Sequence, residues 1–302
     1  MVRRVAIWML LAALVGMGVY ALGMQARRMA DRNALVYTDG RSIRVPASEA
    51  PVRSILWTDP RPLVGGVNSG DEEYHPALSP DGSTVFFARG PMGGGADLYR
   101  SRRTPEGWSE PEPLDQLNTD DADEITPWVA PDGRSLIFAT DRREGLGGYD
   151  LWLSRLVDGE WAEPTPLPGA INSAHNEYAP SLSPDGLWLW FASNRPRAEE
   201  DAELPPDPLV PPPSAGDYDL YRSGYAGASS TPPERLEAMC SPADDVAPAW
   251  SPQGDFVYFA SNRDGGAGGF DLYRSRLADG VPLAPEAIGA PINSAADELD
   301  PA

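Results

Sequence analysis

The chain contains no lysine. Its 24 basic residues are all arginine, they stand against 45 acidic residues, and the formal net charge is −21. Without a lysine amine the protein has no side chain for a Schiff base and lacks the lysine of a phosphate-binding P-loop. Nucleic acid is bound through clustered cations, which an acidic chain does not offer. We therefore expect no nucleic-acid partner.

Cysteine and histidine are almost as scarce. Cys240 is the single cysteine, which excludes an intrachain disulfide. The two histidines, His75 and His175, fall in parts of the chain that we do not expect to be adjacent, so a shared zinc site is not expected. A Gly-x-Ser-x-Gly elbow, a His-Glu-x-x-His motif and a P-loop are all absent from the sequence. We expect no catalytic residues, no resident cofactor and no enzymatic activity of the chain itself.

Long apolar runs are limited to one. Residues 5–24 are predominantly apolar and lie between Arg3-Arg4 and Arg27-Arg28, and twenty such residues are enough to cross a bilayer. A cleaved signal peptide is the alternative, but its apolar core is usually shorter and it ends in a small-residue cleavage site. We expect a cytoplasmic tail (1–4), an uncleaved transmembrane anchor (5–24) and a juxtamembrane linker (25–53) that contains a small hairpin.

What the chain has in abundance is a repeat. A proline is followed three residues later by Ser-Pro-Asp-Gly or a close variant, then by an apolar run that ends in Phe, a Gly-rich turn, and Asp-Leu-Tyr or Asp-Leu-Trp. The copies begin at Pro76, Pro127, Pro180 and Pro248, and a fifth begins at Pro301. Self-similarity at a period of about 50 residues is typical of repeat architectures such as propellers.

Each copy predicts four short strands. Pro-Asp-Gly is turn chemistry, since Pro fixes φ, Asp caps its own backbone and Gly accepts a positive φ. Runs such as 84–88 and 256–260 have the composition of buried strands. The Asp-Leu-Tyr segments open a third strand, and Trp161-x-x-Pro164-x-x-Leu167 is typical of the fourth. We therefore predict an all-β fold, a β-propeller of four-stranded blades.

The propeller is predicted to occupy residues 54–302. Its complete blades are expected at about 74–118, 125–172, 178–240 and 246–293, with an acidic, Pro-rich insertion at 196–216. The segment from Trp57 to Leu63 has the pattern of a fourth strand without its first three, as expected of a strand that closes the ring. We expect the ring to be incomplete in these residues, with about six blades in all and roughly 100 further residues.

These repeats resemble the TolB-like, WD-type β-propellers of bacterial envelope proteins. The resemblance is carried by x-Pro-x-x-Ser-Pro-Asp-Gly, by residues 261–273, and by the Asn-Ser-x-x-x-Glu-x-x-Pro linker. It implies a protein or peptide partner in the cell envelope, an N-terminus inside the cell, and a propeller on the periplasmic side of the inner membrane. Because such blades also occur beside catalytic domains, an accessory propeller of a longer serine-peptidase-type hydrolase is an alternative.

The linkers between blades carry a regular carboxylate three residues before each proline. We expect these side chains to surround the mouth of the central channel, and they are Glu73, Glu124, Glu177, Asp245 and Glu298. An electronegative mouth would attract a cationic peptide or a hard cation such as Ca²⁺. The alternative is structural, with each acid paired to an arginine of a Gly-rich turn (Arg142, Arg195 or Arg263).

Three functions remain open from the sequence. A membrane-anchored binding or scaffold module fits the repeat, the anchor and the missing catalytic groups. The accessory propeller of a hydrolase is the second. The third is a glycan-binding propeller, for which Trp188 and Trp190 alternate along one strand and would share a face of the sheet.

Overall fold

The structure is a computed structural model. It describes residues 34–36, 42–44, 55, 57–91, 93–168, 170–197, 217–227, 230–278 and 280–302. The chain divides into two compact units, residues 1–55 and 56–302. In the first, β1 (Ala34–Val36) pairs antiparallel with β2 (Ser42–Arg44). The predicted anchor at 5–24 and most of the insertion at 196–216 lie outside the described residues. Within the described residues, no helix is long and apolar enough to span a membrane.

The second unit consists of four antiparallel sheets, one for each complete repeat. In blades 1, 2 and 4 the fourth strand is split into two short pieces. Blade 1 contains β3 (Glu73–Leu78), β4 (Thr84–Arg89), β5 (Asp97–Thr104), β6 (Gly107–Trp108) and β7 (Glu112–Pro113). Blade 2 contains β8 (Glu124–Val129), β9 (Ser135–Thr140), β10 (Asp150–Val157), β11 (Glu160–Trp161) and β12 (Thr165–Pro166).

Blades 3 and 4 repeat this order. Blade 3 contains β13 (Glu177–Leu182), β14 (Trp188–Ser193), β15 (Asp219–Gly224) and β16 (Glu234–Arg235). Blade 4 contains β17 (Asp245–Trp250), β18 (Phe256–Ser261), β19 (Asp271–Ala278), β20 (Val281–Pro282) and β21 (Glu286–Ala287). The predicted all-β propeller of four-stranded blades is confirmed, and the described residues contain no helix.

The Pro-Asp-Gly turns form as predicted. In blade 1 the Asp81 carboxylate accepts from the Ser79 hydroxyl at 2.6 Å and from the Ser83 amide at 3.0 Å. The Gly82 amide donates to the Ser79 carbonyl at 2.8 Å, and Gly82 has φ of 68°. Blade 3 repeats these contacts around Asp185. Each turn therefore joins the first two strands of its blade by local chemistry.

Aromatic side chains fill the space between the blades. Each second strand carries a phenylalanine two residues before its end that is at most 2% exposed, and the four are Phe87, Phe138, Phe191 and Phe259. Burying one such side chain stabilises the fold by roughly 1.5–3 kcal/mol. One core cluster joins blades 1 and 2, and another joins blades 3 and 4. The blades are therefore held to their neighbours by apolar contacts.

The innermost strands stand side by side around one axis. β3 contacts β8, β8 contacts β13, and β13 contacts β17. Each of these strands has a bulge at the residue before its proline, where its pairing register with the second strand shifts. The bulge residues have φ near +50°, and they are His75, Thr126, Ala179 and Ala247. Such a φ is disfavoured for a residue with a Cβ, so the surrounding sheet must impose it.

The last five residues lie beside the axis in a position equivalent to that of an inner strand. The Glu298 amide donates to the Phe270 carbonyl at 2.8 Å. An equivalent bond joins the Glu177 amide of blade 3 to the Tyr149 carbonyl of blade 2. Asp300 has the φ of a bulge residue, 55°, and it accepts from the His75 amide at 3.3 Å. This C-terminal segment (298–302) therefore lies between blade 4 and blade 1.

The segment predicted to close the ring behaves differently from the fourth strands. Residues 57–63 lie in no strand. The Trp108 amide of blade 1 donates to the Val64 carbonyl at 3.0 Å, and the Trp57 ring meets the Tyr258 ring of blade 4 edge-on at 6.0 Å. Ring closure by this segment stays a prediction.

Candidate functional site

The five carboxylates predicted from the sequence begin the inner strands or their equivalent. The side chains of Glu124, Glu177 and Asp245 are completely buried. Each contacts the arginine that the structural alternative assigned to it: Glu124 with Arg142 and Glu177 with Arg195, both at 2.9 Å, and Asp245 with Arg263. Three of the five carboxylates therefore form ion pairs of the kind that the structural alternative predicted.

Each arginine also lies against aromatic rings. The Arg195 guanidinium carbon is 5.3 Å from the ring centre of Phe191 and 5.1 Å from that of Tyr221, and the guanidinium donates to the Ile171 carbonyl at 2.6 Å. One side chain thus links the first three strands of its blade to the preceding linker. Arg142 and Arg263 are placed in the same way. The sequence analysis did not detect the aromatic contacts, although the arginine stands four residues after the phenylalanine in blades 2 to 4.

The same carboxylates accept from their own linkers. Glu177 accepts from the amide and hydroxyl of Ser173, at 2.7 and 2.6 Å, and from the Ser193 hydroxyl at 2.9 Å. Burial raises the pKa of Glu177, and the contacts with Arg195 and Ser173 oppose that rise. Glu298 accepts from Ser294 alone among the described residues. A binding role for the five carboxylates stays a prediction.

One group of metal-binding side chains lies close together in the described part of the chain, namely Asp219, Cys240 and Asp245. Asp219 is already held by Arg197 at 2.7 Å and by Arg235 at 2.8 Å. Burial raises the pKa of the Cys240 thiol to about 12, so the thiol is neutral near pH 7. Metals bind the thiolate, so the geometry favours a structural role. Neither histidine belongs to this group.

Cys240 takes the place of an asparagine. In blade 2 the Asn172 side chain accepts from the Leu151 amide at 2.9 Å and donates to its carbonyl at 3.0 Å. Cys240 makes the same two contacts with Leu220 through Sγ, at 3.3 and 3.6 Å. The thiol is therefore part of the linker scaffold.

The inner strands and the C-terminal segment enclose a cavity of about 530 Å³, which we call the axial pocket. Its walls come from equivalent positions of all four blades: the bulge residues, the prolines after them, and the prolines of the Pro-Asp-Gly turns. Trp128, Leu182 and Trp250 add large apolar surfaces. Pockets of this volume with mostly apolar walls are typical ligand sites in proteins.

The two ends of the axial pocket differ. At the turn end, the prolines of the Pro-Asp-Gly turns are exposed, and Leu78 is 50% exposed. At the linker end, the bulge residues are buried or half-buried. The pocket therefore opens toward the turn face of the propeller.

A histidine and an aspartate lie together at the linker end of the pocket. Nε2 of His75 is 3.4 Å from Oδ1 of Asp300, and the two side chains are 10% and 15% exposed. Burial lowers the pKa of His75 and raises that of Asp300, and each partner opposes the shift of the other. Nδ1 of His75 is buried and has no hydrogen-bond partner among the described residues. The contact between His75 and Asp300 was not predicted from the sequence.

The chain is similar to known proteins in its structure only. No family model matches the chain, and no curated protein matches it. Among solved structures, it is similar to a candidate TolB from Agrobacterium tumefaciens (20% identity, 73% of this chain and 63% of that chain, TM-score 0.46). It is also similar to TolB from Acinetobacter baumannii (17% identity, 76% of this chain and 45% of that chain, TM-score 0.44). The resemblance to TolB-like propellers is confirmed at the level of the fold.

A further similar structure is an enzyme. It is the catalytic domain of an α-L-arabinofuranosidase from Coprinopsis cinerea, with 15% identity, 80% of this chain and 78% of that chain covered, and a TM-score of 0.48. The chain spans 63% and 45% of the lengths of the two TolB chains. At these identities the similarities say nothing of activity.

Proposed function

We propose that this propeller is a binding module and that its site is the axial pocket, entered from the turn face. The occupant is an apolar segment of a partner protein. The observation that carries this proposal is the pocket itself, which has a volume of about 530 Å³, is bordered by four blades and the C-terminal segment, and is lined mainly by Pro, Ala, Leu, Val and Trp side chains. Such a surface gains free energy when it is covered, because apolar area leaves water.

The turn face supports a protein partner. Three apolar side chains are about half exposed on its hairpins, Val157, Leu187 and Val281, in addition to Leu78 at the pocket. These side chains lie on four different blades, and each offers apolar area that a partner resting on the turn face would cover. A partner could therefore insert one segment into the pocket and rest on the surrounding turns.

The glycan-binding alternative is not favoured by the tryptophans. Trp190 is 1% exposed and packs edge-on against Trp250 at 4.9 Å, while Trp188 lies under the Arg222 guanidinium. Within the described ranges, Trp57 is the one tryptophan that is exposed. A sugar platform built from Trp188 and Trp190 would need both rings to be accessible.

The location is proposed from the sequence. We propose that residues 5–24 anchor the chain in the inner membrane and that the propeller lies on the periplasmic side, as its resemblance implies. Carbonate extraction of membranes tests the anchor, because an integral anchor stays in the pellet. Release of the full chain into the soluble fraction would contradict it.

Site-specific photo-crosslinking tests the binding site. A benzophenone side chain at Leu78 should crosslink a partner in cells, and the same probe at Leu146, which is 69% exposed in a Gly-rich turn, should not. Ala249→Phe fills the pocket and should abolish the crosslink. The matched control, Ala174→Phe, adds the same ring to an exposed linker and should leave it intact. A crosslink that survives Ala249→Phe, or that forms equally at Leu146, would refute the proposal.

A further inference from the structure

The axial pocket contains one carboxylate without a permanent cation. His75 and Asp300 are the two residues with titratable side chains among those that line it, and no arginine lines it. Elsewhere on the inner strands, buried acids at Glu124, Glu177 and Asp245 each contact a guanidinium. Among the described residues, Asp300 contacts only the His75 imidazole and the His75 backbone amide.

A buried carboxylate is costly unless it is paired with a cation or fully hydrogen-bonded. The imidazole does not supply a fixed charge, because burial lowers the pKa of His75. Nε2 of His75 lies 3.4 Å from Oδ1 of Asp300, and Nδ1 of His75 has no hydrogen-bond partner in the described part of the chain. The linker end of the pocket therefore offers a carboxyl group and an imidazole nitrogen that lack a fixed cation, and a cation bound there would favour the charged form of Asp300.

Within the described ranges, no arginine is paired with Asp300 or lines the pocket. The side chains whose pKa values respond to Asp300 are His75, Tyr74 and Tyr178, and burial is the largest cause of the raised pKa of both tyrosines. At the turn end, the exposed acids Asp81, Asp132 and Asp185 stand beside the pocket's prolines. A cation that approaches along the axis would thus pass acids at the entrance and meet a carboxylate at the inner end.

We propose that the occupant of the axial pocket carries an ammonium group on an apolar body, and that Asp300 and His75 receive this group at the linker end. The inference rests on the proposed function and adds the chemistry of the ligand. Pro and Trp walls hold the apolar body, and the carboxylate selects the charge. A lysine side chain of a partner segment and a free aryl-alkyl amine share this chemistry.

Three small probes test the charge selection. They are 2-phenylethylamine, 2-phenylethanol and 3-phenylpropionate, which carry positive, neutral and negative heads on similar bodies. Ligand-observed NMR with the full chain should give an affinity for the amine at least about tenfold above that for the alcohol, as expected of a hydrogen bond to a charged group. The carboxylate should bind more weakly than the alcohol.

Variants assign the selectivity to Asp300. Asp300→Asn should reduce the advantage of the amine to about twofold or less and leave alcohol binding unchanged. Asp120→Asn makes the same charge change on an exposed linker and should preserve the advantage. Thermal unfolding of both variants verifies that the fold is retained. If Asp300→Asn unfolds the protein, His75→Gln provides the second variant, with the same expected loss of amine selectivity.

A peptide pair distinguishes the two sources of the ammonium group. Acetyl-Phe-Lys-amide and acetyl-Phe-norleucine-amide differ only at the charged end, and a preference for the lysine peptide identifies a side chain of a partner segment. A preference confined to the free amine identifies a small ligand. Equal binding of amine and alcohol would overturn the inference while leaving the apolar pocket in place. No binding of any probe would overturn both proposals.

Discussion

Replacement of Arg195 by glutamine tests whether the buried carboxylates of the inner strands are structural. The change leaves Glu177, whose side chain is 0% exposed, without its guanidinium at 2.9 Å. It also removes the contacts of Arg195 with the rings of Phe191 and Tyr221 and with the Ile171 carbonyl. Leaving a buried charge uncompensated typically costs about 3–5 kcal/mol.

We expect the free energy of unfolding to fall by about 3 kcal/mol at pH 7.5, because Ser173 and Ser193 still donate to Glu177. For a domain of this size, that corresponds to a fall in Tm of about 6–12 °C. The matched control is Arg143→Gln, since Arg143 is 90% exposed and lies 3.9 Å from Asp121. A surface pair of this kind contributes at most about 1 kcal/mol.

The stability lost in Arg195→Gln should be smaller at low pH than at high pH. Burial already raises the pKa of Glu177, and removal of Arg195 raises it further. A carboxyl group whose pKa is higher in the folded than in the unfolded protein stabilises the fold at low pH and loses this contribution as pH rises through the folded pKa. Urea unfolding of Arg195→Gln at pH 5 and pH 8 should therefore show the smaller deficit at pH 5. An equal deficit at both pH values, or one no larger than that of Arg143→Gln, would refute the reasoning.

Further outcomes follow from the linker scaffold and the core. Cys240→Asn should keep or raise Tm, because asparagine makes the same two backbone bonds in blade 2, whereas Cys240→Ala should lower stability by about 1 kcal/mol; thermal unfolding compares the two. The Cys240 thiol, with its pKa of about 12, should react with a disulfide reagent at pH 8 only after unfolding, and fast reaction of the native protein would contradict this. Phe191→Ala should cost about 3–5 kcal/mol in urea unfolding, since Phe191 is fully buried; a loss below about 1 kcal/mol would contradict its place in the core.

The repeat predicted the blades because its signals are local. Pro-Asp-Gly forms its turn with local side chains, and the phenylalanine seven residues after the turn's proline is buried in every blade. The pairing of Glu124, Glu177 and Asp245 with arginine could also be predicted, since both partners recur in register.

Other features depend on contacts that no local pattern encodes. The positive φ of His75 and Thr126 is imposed by a bulge between strands, and neither residue is a glycine. The contact between His75 and Asp300 joins residues 225 positions apart. Residues 57–63 have the pattern of a fourth strand but lie in none, because such a short strand forms only when a third strand lies beside it.

The axial pocket is the place where we propose that an apolar ligand binds. Saturation-transfer NMR with 2-phenylethanol measures this directly on the wild-type chain, Ala249→Phe and Ala174→Phe. We predict saturable binding to the wild type and to Ala174→Phe, and its loss in Ala249→Phe, whose ring occupies the pocket. Undiminished binding to Ala249→Phe would contradict the account.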